Sequence, residues 1–163
     1  MVERLFFAVL GKRNSGKSTT WNELFGATVK TGKYLRTLKL FPGKCIDVFV
    51  VSGSPEERGK YVGDLITSDD ARIVLCSVQY LEAAMSTFDF ARDHGFQLHT
   101  QWLNPGYEDK TSYFDDLGFS QRLLAQGHQL SLRDGTVDPK FRVREIRDTL
   151  LGWAESRGLV FDC

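Results

Sequence analysis

The sequence LFFAVLGKRNSGKSTTWNELFG, residues 5–26, decides how this chain is expected to fold. It opens with an apolar run, Leu5 to Leu10, which is too short for a helix and is typical of a buried strand. Residues 11–18 then match the spacing G-x-x-x-x-G-K-[ST], and a helical segment follows that ends at Gly26. Strand, glycine-rich turn and helix therefore follow one another in the order that this motif requires.

The glycine-rich turn, residues 11–18, has the chemistry of a phosphate-binding loop. Gly11 and Gly16 are expected to take positive φ angles, so that successive backbone N–H groups turn inward and bind phosphate oxygens. The first turn of the following helix adds unpaired N–H groups and the positive end of its dipole. Lys17 is the predicted catalytic cation at the β- and γ-phosphates, and the Ser18 hydroxyl is predicted to bind Mg²⁺. The predicted nucleotide contacts in this segment are Gly11, Asn14, Ser15, Gly16, Lys17, Ser18 and Thr19.

The composition is that of an ordinary globular chain without a strong electrostatic preference. The chain has 163 residues, with 21 basic and 21 acidic side chains, so its formal net charge is zero. This length predicts a single domain over residues 1–163, and the charge balance gives no reason to expect nucleic acid or an anionic membrane as a partner. No segment predicts a membrane span or a signal peptide, so cytoplasmic residence is the default expectation.

Neither the cysteines nor the histidines have the spacing of a metal site. Cys45 and Cys76 fall in apolar, strand-like segments and are predicted to be small buried hydrophobic residues. Cys163 completes an odd count of three, and no C-x-x-C pair is present. The three histidines share no ligand-like spacing either. A structural metal is not expected.

The remainder of the chain predicts alternating strands and helices. Residues 35–41 and 45–51 are strand-like and are separated only by Pro42-Gly43-Lys44, which predicts an antiparallel hairpin. Further strands are predicted at residues 71–78, 96–103 and 128–132, and further helices after Ser54 as N-cap and over about residues 81–94, 111–125 and 139–157. The alternation predicts an α/β sandwich with a mostly parallel sheet and one antiparallel edge strand in the hairpin.

Two groups of charged residues are interpreted as solvent-exposed. Asp115 and Asp116, near the start of the predicted fourth helix, are interpreted as a solvated face and not as a metal site. The basic side chains that interleave with the apolar stripe of the last helix are predicted to form its exposed face. These are Lys140, Arg142, Arg144 and Arg147.

The order of elements resembles the GTPase branch of the phosphate-loop NTPases, the Ras-like and translation-factor class. The run from Gly16 to Gly26 is similar to the G-K-S-T-x-x-N-x-L-x-G pattern of bacterial members. A strand hairpin directly after the first helix suits that class better than the nucleotide kinases, whose parallel strands are joined through helices. The resemblance implies an α/β fold of the three-layer phosphate-loop NTPase sandwich type. It also implies GTP or ATP with Mg²⁺, and two switch segments, residues 27–40 and 52–60, through which a protein partner would bind.

The resemblance also implies a second metal ligand and contacts to the base. The first switch of that class supplies a threonine for Mg²⁺, and the candidates are Thr28, Thr31 and Thr37. Thr37 is predicted to be the second metal ligand, in addition to Ser18. Asn104 echoes the guanine-reading N-K-x-D motif without its lysine and aspartate, and Ser131 echoes the later S-A-K element. Both are predicted base contacts, although ordinary turn chemistry explains them equally well.

The second switch departs from the pattern of the class. Ser52 stands where the class has an aspartate, and Pro55, which has no N–H group, stands where it has a glycine. Glu56 occupies the water-orienting position and is the predicted catalytic carboxylate. Without the aspartate or a catalytic glutamine, hydrolysis is expected to be slow.

Three functions are consistent with this sequence. The first is a slow GTPase-like NTPase or nucleotide-dependent switch, in which Arg13 or a partner's arginine would supply transition-state charge. The second is a pseudo-GTPase interaction module that binds nucleotide without turnover. The third is a small-molecule or nucleotide kinase that uses ATP, with Arg58, Arg142 and Arg144 as substrate or lid arginines; the hairpin argues against it.

Overall fold

The structure is a computed structural model, and it describes residues 2–67, 70–104 and 115–163. Within these ranges the elements are, in chain order, β1 (Arg4–Gly11), α1 (Lys17–Phe25), β2 (Arg36–Phe41), β3 (Lys44–Val51), α2 (Val62–Leu65), β4 (Ile73–Gln79), α3 (Ala84–Asp93), β5 (Phe96–Leu103), α4 (Phe119–Ala125), β6 (Gln129–Arg133) and α5 (Lys140–Glu155). Strands and helices alternate, as the sequence predicts.

The described strands form one sheet in the order β2-β3-β4-β1-β5-β6. β1 lies between β4 and β5 and runs parallel to both, β3 is parallel to β4, and β6 is parallel to β5. β2 alone runs antiparallel, paired with β3 through a tight turn. The α/β class, the mostly parallel sheet and the antiparallel hairpin are confirmed. The end of β3 lies two strand spacings, about 10 Å, from the end of β1.

Helices cover both faces of the sheet. Because side chains alternate along a strand, β1 contributes to both cores, with Leu5, Phe7 and Val9 on one face and Phe6, Ala8 and Leu10 on the other. The first core is closed by apolar residues of α1 and α5, among them Trp21, Leu24, Val143, Ile146 and Leu150. The second is closed by residues of α2, α3 and α4, among them Val62, Phe88 and Phe119.

The predicted helix start after β3 is wrong. Residues 55–59 form a series of turns, closed by a bond from the Lys60 N–H to the Pro55 carbonyl at 2.9 Å, and α2 begins only at Val62. Ser54 does not cap a helix, because its buried Oγ has no hydrogen-bond partner in the described part of the chain. The Ser-Pro-x-Glu pattern therefore does not start a helix here, and Ser54 is instead buried, with 1% of its surface exposed.

The fourth helix is shorter than predicted. It begins at Phe119, and of the predicted earlier part, residues 111–114 lie outside the described ranges. Asp115 is not simply a solvated residue. Its carboxylate accepts hydrogen bonds from the Phe119 and Ser120 N–H groups, each at 2.8 Å, and from the Tyr80 hydroxyl at 2.6 Å. These bonds satisfy the first N–H groups of α4, so the helix begins four residues after Asp115.

Cys45 and Cys163 form a disulfide, with Cα atoms 6.0 Å apart. The prediction that Cys45 is only a small buried hydrophobic residue is therefore wrong, whereas Cys76 is free and buried as predicted. Paired backbone hydrogen bonds of 2.9 Å between Cys45 and Phe161 hold the C-terminal segment beside β3. Disulfides are rare in cytosolic proteins, so the fold gives no support to the cytoplasmic expectation. In the ranges that the structure describes, no helix is both long and apolar enough to cross a membrane.

Candidate functional site

A cleft of about 510 Å³ opens where the glycine-rich turn meets the start of α1. It lies at the carboxyl ends of the parallel strands, the edge at which ligands bind in open α/β sheets. The lining residues form two walls. The turn wall consists of residues 13–19 with Gly135 and Thr136, and the β3 wall consists of residues 52–54 with Glu57.

The backbone of the glycine-rich turn depends on Gly16 and Asn14. Gly16 has φ +105°, as predicted, and Asn14 has φ +62°, a conformation that asparagine tolerates better than most residues. The prediction of a positive φ at Gly11 is wrong, because Gly11 is the last residue of β1. Gly11 is needed for space, since a Cβ there would lie 2.2 Å from the Ser15 Oγ.

Lys17 is held inside the curve of the turn. Its buried ammonium donates to the carbonyls of Gly11 at 3.0 Å and Lys12 at 2.9 Å. It also donates to Oε1 of Gln79 at 3.0 Å, and the Glu57 carboxylate lies 4.0 Å away. Gln79, the last residue of β4, was missed in the sequence, because only the sheet order places the end of β4 beside that of β1.

Asn104 fixes the turn from behind. It is 2% exposed, has φ +73°, and donates from its amide to the Ser15 carbonyl at 3.1 Å. Its Oδ1 accepts a hydrogen bond from the Gly135 N–H. A Cβ on Gly135 would lie 2.0 Å from the Ser15 carbonyl oxygen, so this contact requires glycine. The predicted base contact Asn104 is thus engaged in joining the turn to the loop after β6.

Arg142 corrects the prediction that the basic residues of α5 form an exposed face. Its side chain is 3% exposed and lies beneath the turn. Nε donates to Thr20 Oγ1 at 3.0 Å, Nη1 to the Val137 carbonyl at 3.1 Å, and Nη2 to the Gly16 carbonyl at 3.4 Å. Burial is the main effect on the pKa of Arg142 and lowers it.

Arg147 is also not part of a simple exposed face. Its Nη2 donates to the carbonyls of Glu23 at 3.2 Å and Leu24 at 3.0 Å, which are among the last carbonyls of α1. Lys140 and Arg144 are exposed, as predicted, and Arg144 pairs with Asp148.

On the β3 wall, Ser52 connects the strand end to the segment after α1. Its Oγ donates to the Val29 carbonyl at 2.9 Å, and its N–H donates to Thr31 Oγ1 at 3.0 Å. Of the three candidate threonines, Thr31 is therefore the one tied to a residue of the cleft. The assignment of Thr37 as a metal ligand is not supported, because Thr37 is an exposed residue of β2 whose hydroxyl donates to Asp47 of β3 at 3.5 Å.

The structure separates the roles of the two neighbouring glutamates. Glu56 accepts hydrogen bonds from the Gln79 N–H at 3.1 Å and the Thr87 hydroxyl at 2.7 Å, so its carboxylate is directed toward β4 and α3. Glu57 lines the cleft instead. The predicted catalytic position of Glu56 is thus not reproduced, and the cleft carboxylate is the next residue along the chain.

Ser131, the second predicted base contact, lies in β6 and lines a different cleft. This smaller cleft, of about 280 Å³, lies between α5 and strands β5 and β6. Ser131 therefore does not line the main cleft with the residues of the glycine-rich turn.

The main cleft suits an anion. It combines the Lys17 ammonium, the amino-terminal end of α1 and the hydroxyls of exposed Ser18 and Thr19. The buried Oγ atoms of Ser15 and Ser54 have no partner within the described residues. No three His, Cys, Asp or Glu residues of those ranges are grouped to hold a metal ion, so a cation here would need oxygens from the ligand.

A comparison with models of known protein families gives no match to this chain, and a comparison with curated protein sequences gives no significant match. The assignment of a function therefore depends on the residues of the cleft.

Proposed function

We propose that this protein binds a nucleoside triphosphate together with Mg²⁺ in the main cleft. The observation that carries the proposal is the placement of the Lys17 ammonium within the glycine-rich turn, at the amino-terminal end of α1. An ammonium enclosed by a turn at a helix start is a site for phosphate oxygens. The cleft volume of about 510 Å³ leaves room for more than one phosphate group.

Each residue of the turn wall has a role in this proposal. Lys17 would contact the β- and γ-phosphates, and the first N–H groups of α1 would bind phosphate oxygens. Ser18, whose hydroxyl is exposed at the cleft, would hold Mg²⁺ together with those oxygens. When bound, the ion neutralises part of the phosphate charge. Base contacts are not assigned, because Asn104 is engaged with the turn, and either GTP or ATP fits the proposal.

Two observations favour binding with slow or no turnover over rapid hydrolysis. Glu56, at the predicted water-orienting position, is held by Gln79 and Thr87. Ser52 brings no carboxylate to the cleft, and its hydroxyl donates to the Val29 carbonyl. These observations favour a protein that binds nucleotide and interacts with a partner without turnover, and a slow NTPase is the second candidate.

The kinase alternative has less support. The hairpin between β2 and β3 is a tight antiparallel turn, as the GTPase resemblance requires. Arg142 lies beneath the turn, and Arg144 pairs with Asp148 on the outside of α5. Neither arginine lines the cleft as a lid residue would.

The test combines a binding panel with a turnover assay. Affinities for ATP, GTP and their diphosphates are measured with and without Mg²⁺, and phosphate release is followed in single-turnover mixtures. We expect Mg²⁺-dependent binding of at least one triphosphate and release slower than about one turnover per minute. Fast release would refute the interaction module, and binding of no nucleotide would refute the proposal as a whole.

A further inference from the structure

We propose that Arg142 is a second cation of the phosphate site, a buried guanidinium beneath the glycine-rich turn that raises affinity for the polyphosphate chain of the ligand. This inference rests on the proposed function and assigns a role to a residue that the sequence predicts to be exposed. The ligand class that it selects is an anion with several linked phosphates, in preference to a monophosphate.

No carboxylate of the described residues hydrogen-bonds or pairs directly with the Arg142 guanidinium, although Asp134 and Asp138 are close enough to raise its pKa against the effect of burial. All three of its hydrogen bonds go to uncharged oxygens, those of Thr20 Oγ1 and of the Val137 and Gly16 carbonyls. Within the described residues it forms no ion pair with a carboxylate. Arginine remains protonated in proteins, so a full positive charge is buried here. A buried charge that only more distant carboxylates offset, here Asp134 and Asp138, is unfavourable, and a polyanion bound nearby would relieve this.

The positive charge of Arg142 acts on the cleft through the peptide bond between Gly16 and Lys17. Gly16 O accepts bonds from Arg142, from the Thr20 hydroxyl at 2.8 Å and from the Thr20 N–H at 3.0 Å. In a trans peptide the C=O and N–H groups point in opposite directions, and the structure describes no cis peptide bond. The N–H of Lys17 therefore points away from Arg142, toward the cleft. A cation at the oxygen end of this peptide polarises it and strengthens its N–H as a donor.

The absence of a side chain at Gly16 keeps Arg142 close to the turn. A Cβ on Gly16 would lie 3.1 Å from Nη2 of Arg142 and 2.9 Å from the Gly135 carbonyl oxygen. Glycine at this position thus lets both α5 and the loop after β6 approach the backbone that faces the ligand. The low dielectric of the buried position preserves the field of the guanidinium over this short distance.

A purely mechanical role, in which Arg142 only fastens α5 to α1, must be distinguished from the electrostatic one. Arg142→Lys and Arg142→Gln both remove the planar fork, but only the glutamine variant removes the charge. Arg147→Gln is the matched control, because Arg147 also joins α5 to α1 but at the opposite end of α1. Each variant is titrated with the mono-, di- and triphosphate of one nucleoside, and its thermal stability is recorded.

We expect Arg142→Gln to weaken triphosphate binding by about tenfold and monophosphate binding by about twofold, because the Coulomb energy grows with ligand charge. Arg142→Lys should stay within about threefold of the wild type for every ligand. Arg147→Gln should lower stability while leaving the ratio of triphosphate to monophosphate affinity unchanged. If Arg142→Gln does not fold, Arg142→Met supplies the uncharged variant.

The inference is overturned if the lysine and glutamine variants lose affinity equally, or if the loss is the same for all three phosphates. Either result would leave the proposed function intact, provided that the wild type binds triphosphate. If the wild type binds none of the three ligands, the proposed function fails, and the inference fails with it.

Discussion

The two walls of the cleft are held in place in different ways. The turn wall is supported from behind by buried polar side chains, those of Lys17, Asn104 and Arg142, each with two or more hydrogen bonds. On the β3 wall, Ser52 is tied to Val29 and Thr31, but the chain then passes into turns. There Glu57, with its side chain 40% exposed, only approaches Lys17 at 4.0 Å. A preorganised wall suits phosphate binding, whereas a side chain held by one long ion pair, such as Glu57, can move at low cost when a ligand arrives.

The largest contrast should come from adding a methyl group to each wall. Gly135→Ala would place its Cβ 2.0 Å from the Ser15 carbonyl oxygen, and we expect a loss of about 3 kcal/mol or more in the free energy of unfolding. Gly53→Ala meets only the Arg58 side chain, at 3.4 Å, and should change stability by less than about 1 kcal/mol. Urea denaturation of both variants measures the difference, and equal losses would show that the walls are equally rigid.

A buried histidine just before β6, at the edge of the sheet opposite the cleft, should make stability depend on pH independently of either wall. His128, on the loop before β6, is 5% exposed, and burial, with a smaller effect of His99, lowers its pKa to about 4 from the ordinary 6.5. Between pH 6.5 and 4, His128 is therefore protonated in the unfolded chain but neutral in the folded protein. As pH is lowered from 6.5 to 4, the free energy of unfolding should decrease by about 3 kcal/mol in total, at about 1.4 kcal/mol per pH unit.

Denaturation of the wild type and of His128→Gln at several pH values isolates this contribution. The difference in stability between the two proteins should be constant above pH 6.5 and should shrink or reverse below it. A difference that does not change with pH would show that His128 binds a proton equally well in the folded and the unfolded protein.

Asn104, which supports the turn wall, and Ser54 of the β3 wall should respond differently to truncation, with smaller changes in stability than Gly135→Ala. Asn104→Ala leaves the Ser15 carbonyl and the Gly135 N–H without their partner, so we expect a loss of about 2 kcal/mol. Ser54→Ala removes a buried Oγ that has no partner among the described residues and should be neutral or slightly stabilising. Thermal unfolding in the absence of ligand tests both. A large loss at Ser54 would contradict the account of the β3 wall.

The turn wall was largely predictable from sequence, because its signals are local. The apolar run, the glycine spacing and Gly26 at φ +69° together define β1, the turn and α1. The supports behind it were not predictable. Arg142 lies 126 residues from Gly16, Asn104 lies 89 from Ser15, and Gln79 lies 62 from Lys17, and no periodicity links such pairs. The same holds for the disulfide, whose cysteines are 118 residues apart.

On the β3 wall the local signal gave the wrong result. Ser54, Pro55 and Glu57 have the spacing of a helix start, but the structure forms turns there. Burial of Ser54 and the bonds of Glu56 to Gln79 and Thr87 decide the path of the chain, and both depend on tertiary packing. Glu57 was consequently overlooked as the carboxylate of the cleft.

Effects on stability of about 1 kcal/mol or less should come from the two glutamates. Glu57→Gln should change the free energy of unfolding by less than about 0.5 kcal/mol, because its one ion pair is long and partly exposed. It should strengthen triphosphate binding a few-fold without Mg²⁺, since a carboxylate repels the phosphates. Glu56→Gln should lower stability by about 1 kcal/mol through its bonds to Gln79 and Thr87. A larger loss of stability for Glu57→Gln than for Glu56→Gln would contradict the assignment of Glu56 to a structural role and of Glu57 to the cleft.

The most direct test of the central claim is a calorimetric titration of Mg²⁺-ATP and Mg²⁺-GTP into the wild type, Lys17→Ala and Lys39→Ala. Lys39 is an exposed residue of β2, so its variant removes the same charge away from the cleft. We predict that the wild type and Lys39→Ala bind the same nucleotide with similar affinity, and that Lys17→Ala weakens it by about 100-fold. Equal affinity of Lys17→Ala and the wild type would contradict the account.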